Sequence, residues 1–156
     1  MIVGIDPGQS GGIAYIHESG AASFAYPMPV AGKEIDGHTI AALLREWQPS
    51  VVYVEKVHSM PKQGVASTFK FGMGYGVIIG ICDALGLPYR LVTPQAWKKQ
   101  VLAGTTKDKD AAISFVRRAY PHVNLTPGAK RKPHDGMADA LCIAEFGRHL
   151  MAKGDA

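Results

Sequence analysis

Ile2-Val3-Gly4-Ile5 is a short apolar run that ends on Asp6 and is halted at once by Pro7-Gly8, the pattern of a buried strand. Gly12 to His17 resumes the β pattern, and Ala21 to Tyr26 continues it beyond the Glu18-Ser19-Gly20 turn. These three runs predict an antiparallel meander whose first strand, the most apolar, is central and covered on both faces. From Asp36 to Trp47, Ile40, Leu43, Leu44 and Trp47 recur at helical spacing, and Pro49 marks the stop. Val51-Val52-Tyr53-Val54 is a run of β-formers closing on Glu55. With a helix between them, this strand can join an earlier one in parallel by a right-handed crossover. The stretch from about Gln63 to Leu85 reads as a helix despite its glycines. Pro88 to Val92 then reads as a fifth strand, Gln95 to Leu102 and Lys107 to Ala119 as helices, and a last helix starts at Pro133. The pattern predicts an α/β architecture: a mixed five-stranded sheet, three antiparallel strands plus two parallel ones, with helices on both faces.

Composition narrows the class. A chain of 156 residues, 47% hydrophobic and 19% charged, is expected to form one folded domain over 1–156 and to bury a sizeable core. Two cysteines, Cys82 and Cys142, make neither a disulfide framework nor a CxxC zinc site. Met1 leads straight into the first strand, and the most apolar stretch, Val77 to Cys82 with its flanks, reads as too short and glycine-rich to span a bilayer. The expectation is a soluble protein of a reducing compartment, the cytoplasm, with no membrane contact. Lys and Arg number 17 against 13 Asp and Glu, a net +4 that hints at an anionic partner.

The candidate chemistry lies in carboxylates from distant parts of the chain. Asp6 and Glu55 each stand at the carboxyl end of a strand. If those strands are parallel neighbours, both side chains emerge at one rim, where open α/β sheets place their sites. In Pro133-His134-Asp135-Gly136-Met137-Ala138-Asp139, Asp135 and Asp139 are four apart and share a helix face with Cys142 and Phe146. Taken singly, each has a structural reading: a turn at Asp6, a strand end at Glu55, a helix cap at Asp135. Together they form a set of hard oxygen ligands suited to Mg²⁺ or Mn²⁺. Two divalent ions would cancel the four charges and suit in-line displacement at phosphorus.

Ile2-Val3-Gly4-Ile5-Asp6-Pro7-Gly8, the strand closing on Glu55, Thr93-Pro94-Gln95-Ala96-Trp97-Lys98 and His134-Asp135-Gly136-Met137-Ala138-Asp139-Ala140-Leu141 together resemble the RuvC-type Holliday junction resolvases, in wording closest to their phage-borne branch. The resemblance implies a ribonuclease-H-like fold, a homodimer, and Mg²⁺- or Mn²⁺-dependent symmetric cutting of a four-way DNA junction. Asp6, Glu55 and Asp139 match the family's acidic positions. The family usually has an acid or histidine where this chain has Gly136, so the fourth ligand falls to Asp135, with His134 as an accessory alternative.

Lys98 and Lys99, Lys107 and the run Lys130-Arg131-Lys132 are candidate phosphate contacts, the last directly before the acidic helix. In the resembling family the loop from His58 to Gly64 and the start of the following helix reach the junction's crossover point. Lys70 lies there, and Phe69 is the candidate wedge between bases; its alternative is a core phenylalanine. Gly72, Gly76 and Gly80 leave one face of the long helix bare, which suggests close approach either of the chain's own sheet or of a second subunit. Trp97 reads as core.

The competing readings are a nuclease of the same scaffold acting on flaps or RNA–DNA hybrids, and a non-catalytic junction binder. Asp6-Pro7-Gly8-Gln9-Ser10-Gly11-Gly12 also resembles the phosphate hairpin of sugar kinases and ATPases. Those proteins close two domains over nucleotide, so no nucleotide cofactor is expected here.

Overall fold

The computed structural model describes residues 1–58, 61–105 and 108–154. Its sheet is built from β1 (Ile2–Asp6), β2 (Gly12–Ile16), β3 (Ser23–Pro27), β6 (Val51–Glu55) and β7 (Tyr89–Val92), in the order β3-β2-β1-β6-β7. The first three strands are antiparallel, and β6 and β7 run parallel to β1. This is the expected mixed sheet, with the most apolar strand at its centre. Residues 2–5 are completely buried, because β1 is covered on both faces.

The helices divide by face. α1 (Gly37–Trp47) and α2 (Val65–Leu85) cover the side onto which Val3, Ile5, Ile13, Val52 and Val54 point. α3 (Pro94–Val101), α4 (Ala111–Ala119) and α5 (Asp135–Ala152) cover the other, over Ile2, Ala14, Ile16, Val51 and Tyr53. α5 is the innermost of these: its stretch Gly136–Ala138 and Ala140–Glu145 is buried. It is apolar nearly all round, as a helix wedged between a sheet and other helices must be.

Glycine sets how closely α5 lies on the sheet. A Cβ placed on Gly4 would overlap the Ala140 carbonyl oxygen and the Ala144 backbone nitrogen. A Cβ on Gly12 would meet the backbone of Gly136 and Met137, and one on Gly136 would meet Ser10 and Gly11. The helix backbone therefore rests directly on β1 and β2, with no side chain between them.

The structure departs from the sequence reading in three places. A two-stranded hairpin, β4 (Val30–Ala31) and β5 (Glu34–Ile35), interrupts the stretch before α1. Its turn holds Gly32 at φ +63°, and the alternation is too short to register as strands. α4 begins at Ala111 rather than Lys107, and Lys107 lies outside the described residues. Ser59 and Met60 of the expected junction-facing loop do too. The apolar helix α2 has 21 residues, long and apolar enough to cross a membrane by length and composition, contrary to the reading from Val77–Cys82 alone. Its position supplies the missing constraint: α2 is the crossover between the adjacent parallel strands β6 and β7, and it packs Gly74, Ile78 and Cys82 toward the sheet.

Replacing Gly4 by alanine is expected to destabilise the protein by about 2–3 kcal/mol or more, since both atoms its Cβ meets are backbone and cannot rotate away. Chemical denaturation followed by circular dichroism measures this directly.

Candidate active site

The pleat decides which face each carboxylate takes. Side chains alternate along a strand, so Ile2, Gly4 and Asp6 share one face of β1, and Val51, Tyr53 and Glu55 share one face of β6. The two strands pair in parallel with Ile2 opposite Val51 and Gly4 opposite Tyr53, which aligns Asp6 with Glu55 at the carboxyl rim. Both lie on the face covered by α5. The glycine contacts stand the first turns of α5 over that rim, and Asp139 enters from above.

The electrostatics record the convergence. Burial pushes the Asp6 carboxyl up to about 8, reinforced by the negative charges of Glu55 and Asp139 and opposed by Lys98. Asp139 is pushed up to about 6, first by burial and then by Glu55, with Lys98 again opposing and Asp135 adding to the rise. Three acids from three separate elements thus sense one another, and one lysine acts on two of them. Glu55 is further fixed by the Trp97 indole, whose Nε1–H donates to Oε2 at 2.6 Å.

Asp135 is more peripheral. It is exposed, stands first in α5, and raises the Asp139 pKa as the weakest of four causes; it is not among the groups acting on Asp6. The cap of α5 is His134, whose Nδ1 accepts from the Met137 N–H at 3.2 Å, so the capping alternative weighed for Asp135 belongs to its neighbour. Burial lowers the His134 pKa, and Lys130 lowers it further.

Among the described residues, no three Asp, Glu, His or Cys side chains stand close enough to hold a metal ion as they are placed. The chemistry of Asp6, Glu55 and Asp139 nevertheless fits a hard divalent cation. All three supply oxygen alone, and of the described lysines Lys98 acts on both Asp6 and Asp139.

Basic residues stand on several elements next to those that carry the acids. Lys98 and Lys99 lie exposed on α3, with the Lys98 ammonium 5.3 Å from the Trp97 ring centroid. Lys130, Arg131 and Lys132 are exposed immediately before α5. On the other side, a groove of about 510 Å³ runs from Asp6 and the Pro7–Gly11 turn between the β4–β5 hairpin and α2. Lys33, Lys70 and Phe71 are among its lining residues. Glu55 and Asp139 do not line it, so the groove meets the carboxylates at Asp6.

Lys33 escaped the sequence reading. The Gly32-Lys33 turn between Val30 and Ile35 was its signal, a short hairpin cue that no long alternation supported. Phe69 is 71% exposed, which removes the core alternative, and Lys70 beside it is exposed as well. Gly72, Gly76 and Gly80 have nothing within 4 Å of where a Cβ would stand. The chain's own sheet is therefore not what they approach; on the inner face of the helix, Gly74 meets the Ile35 side chain of the β4–β5 hairpin.

No protein-family model matches the chain. In sequence it is similar to the crossover junction endodeoxyribonuclease RuvC of Nitratidesulfovibrio vulgaris strain DP4, 28% identical over 151 residues that cover 90% of this chain and 88% of that one. In structure it is similar to Thermus thermophilus RuvC, with a TM-score of 0.66 at 23% identity over 99% of this chain and 97% of the other. The same enzyme in complex with a Holliday junction substrate superposes with a TM-score of 0.67 at 19% identity, over the same shares of the two chains. The resemblance read from the motifs thus extends across nearly the whole chain, and the fold is the ribonuclease-H-like fold of these resolvases.

The raised carboxylates carry a consequence for stability. The folded protein holds protons on Asp6 and Asp139 up to about pH 8 and about pH 6, whereas the unfolded chain releases them near 3.8. Metal-free stability should therefore fall as pH rises from about 4 to about 8. Asp6→Asn is expected to raise the metal-free melting temperature at pH 8 by several degrees, at roughly 2–4 °C per kcal/mol. The gain should vanish near pH 4. Scanning calorimetry in EDTA at the two pH values checks both.

Proposed function

We propose that this chain is a structure-selective endodeoxyribonuclease that resolves four-way DNA junctions by hydrolysing phosphodiester bonds, working as a homodimer in the cytoplasm, of a host cell if the protein is viral. The observation that carries this reading is the meeting of Asp6, Glu55 and Asp139 at one rim of the sheet. The similarity to crossover junction endodeoxyribonucleases supports it.

Asp6, Glu55 and Asp139 are the residues that would hold two Mg²⁺ or Mn²⁺ ions, with Asp135 completing or orienting the set and His134 in reserve. When bound, such ions activate water and stabilise the leaving oxygen in displacement at phosphorus. The chain supplies the rest. Lys98, reaching both Asp6 and Asp139, is placed to neutralise a phosphate beside them. Lys99 and Lys130-Arg131-Lys132 take phosphates on one side of the rim, with Lys33 and Lys70 in the groove on the other. Phe69, exposed at the start of α2, is the wedge that enters a junction whose centre is already unstacked. A continuous duplex would first have to surrender a few kcal/mol of stacking per step.

The exposed face of α2 supports the dimer. Three glycines with open space at their Cβ positions, flanked by exposed Val65, Phe69 and Met73, make an apolar face on which a second helix can lie close. A two-fold axis there gives two carboxylate sites for two symmetry-related strands, as paired incision requires. Gly76→Leu is expected to shift the protein to monomer in analytical ultracentrifugation while leaving its circular dichroism unchanged. A monomeric wild type would remove the paired-incision reading.

The decisive assay compares a synthetic four-way junction, a flap, an RNA–DNA hybrid and linear duplex, with and without divalent metal. Symmetric cutting of the junction in Mg²⁺ or Mn²⁺, and none in EDTA, is the expected result. Asp6→Asn should reduce it by at least about 10³-fold while retaining or strengthening junction binding, because a negative charge beside the phosphate is gone. Preferential cutting of the hybrid or flap would reassign the substrate, and binding without cutting under every metal condition would leave a junction-binding protein.

A further inference from the structure

Trp97 is 0% exposed and packs in the core beneath α5, yet its one polar atom is directed at the rim: Nε1–H donates to Glu55 Oε2 at 2.6 Å. We infer that Trp97 is a positioning residue for the candidate active site, its indole N–H holding Glu55 Oε2 so that Oε1 is presented to a divalent cation. This rests on the metal-dependent reading of the site.

The backbone delivers the indole to that spot. β7 runs beside β6 with Val92 opposite Glu55, and the Lys56 N–H donates to the Val92 carbonyl at 2.7 Å, so the two strand ends are locked together. One residue later Thr93 caps α3, its hydroxyl oxygen accepting from the Ala96 N–H at 3.2 Å, and Pro94 begins the helix. The turn is thereby fixed, and Trp97, in the first turn of α3, faces back over Glu55. The ring has little freedom to leave, since it is fully buried in the core that α3, α4 and α5 form over this face of the sheet.

The chemistry argues for more than a satisfied indole. Glutamate has three rotatable bonds, and this one stands at the rim beside Asp6 and Asp139, whose like charges repel it. Left alone, it would lower that repulsion by swinging outward. An indole N–H donates and never accepts, so it matches a carboxylate oxygen and holds the charged side chain at the rim. Lysine or arginine could hold it too, but would cancel the charge that a cation needs. A neutral, rigid, buried donor fixes the carboxylate and leaves its charge in place. Second-sphere donors of this kind typically change metal affinity or activity by 10–100-fold when removed.

The test uses the full-length protein and its two tryptophans, Trp47 and Trp97. In ¹⁵N–¹H spectra, Mg²⁺ titration of the wild type should shift the Trp97 indole N–H resonance and leave that of Trp47 in place. Glu55→Gln should move the Trp97 signal upfield. Trp97→Phe keeps the ring and removes the donor. It should weaken Mn²⁺ binding in calorimetry by about 10–100-fold and lower kcat for junction cleavage by a similar factor. Its junction Kd in EDTA should stay within about twofold. A Trp97 signal that ignores Mg²⁺ while calorimetry shows the ion bound would overturn the positioning role and leave the metal site standing. Unchanged Mn²⁺ affinity in a folded Trp97→Phe would do the same. If that variant does not fold, the wild-type titration decides alone. No Mn²⁺ binding by the wild type overturns the metal reading, and this inference with it.

Discussion

Three carboxylates that repel one another share one rim because the backbone of α5 lies directly on β1 and β2. Gly4, Gly12 and Gly136 remove the side chains that would hold helix and sheet apart, and the backbone contacts that replace them are rigid. The strand register then puts Asp6 beside Glu55, and the height of the helix puts Asp139 above them. Each of these acids taken alone is an ordinary polar residue at the end of an element. The raised protonation equilibria of Asp6 and Asp139 come first from burial and then from the neighbouring acid charges. The folded chain thus holds an unfavourable arrangement in place with tight packing elsewhere, the usual relation between a functional centre and the scaffold that supports it.

Charge of the opposite sign stands near that centre. Lys98 on α3 acts on Asp6 and Asp139, and Lys33 of the β4–β5 hairpin and Lys70 of α2 line the groove that reaches Asp6, though they are far apart in sequence. A net charge of +4 says nothing of where the charges lie. A polyanion with one phosphate at the acids and others nearby fits such a distribution. The exposed apolar face of α2 belongs to the same logic. It is poorly suited to water, and three glycines in a helix interior cost about 1 kcal/mol each against alanine, which a close helix–helix contact can offset.

Much of this was legible along the chain. Strand runs, helical spacing and the Pro-Gly stops located nearly every element. The period of two along β1 and β6, with the spacing of four between Asp135 and Asp139, was enough to nominate the acids. What failed to show has a common cause. The β4–β5 hairpin has two-residue strands, too short for any alternation, so Lys33 went unnoticed. His134 and Asp135 are both plausible caps, and only the hydrogen bond to the Met137 N–H distinguishes them. Phe69 had a core alternative, yet it is 71% exposed.

Local sequence determined the order and kind of the elements, the strand ends on which Asp6 and Glu55 sit, and the helix face carrying Asp139, because periodicity and turn chemistry act over a few residues. The tertiary structure decided what those positions mean: which acids meet, which glycines touch the chain's own backbone and which face outward, and that the nitrogen of a core tryptophan holds a carboxylate. Those are contacts between residues 40 to 140 positions apart in the chain, and no local pattern encodes a distance that only folding closes.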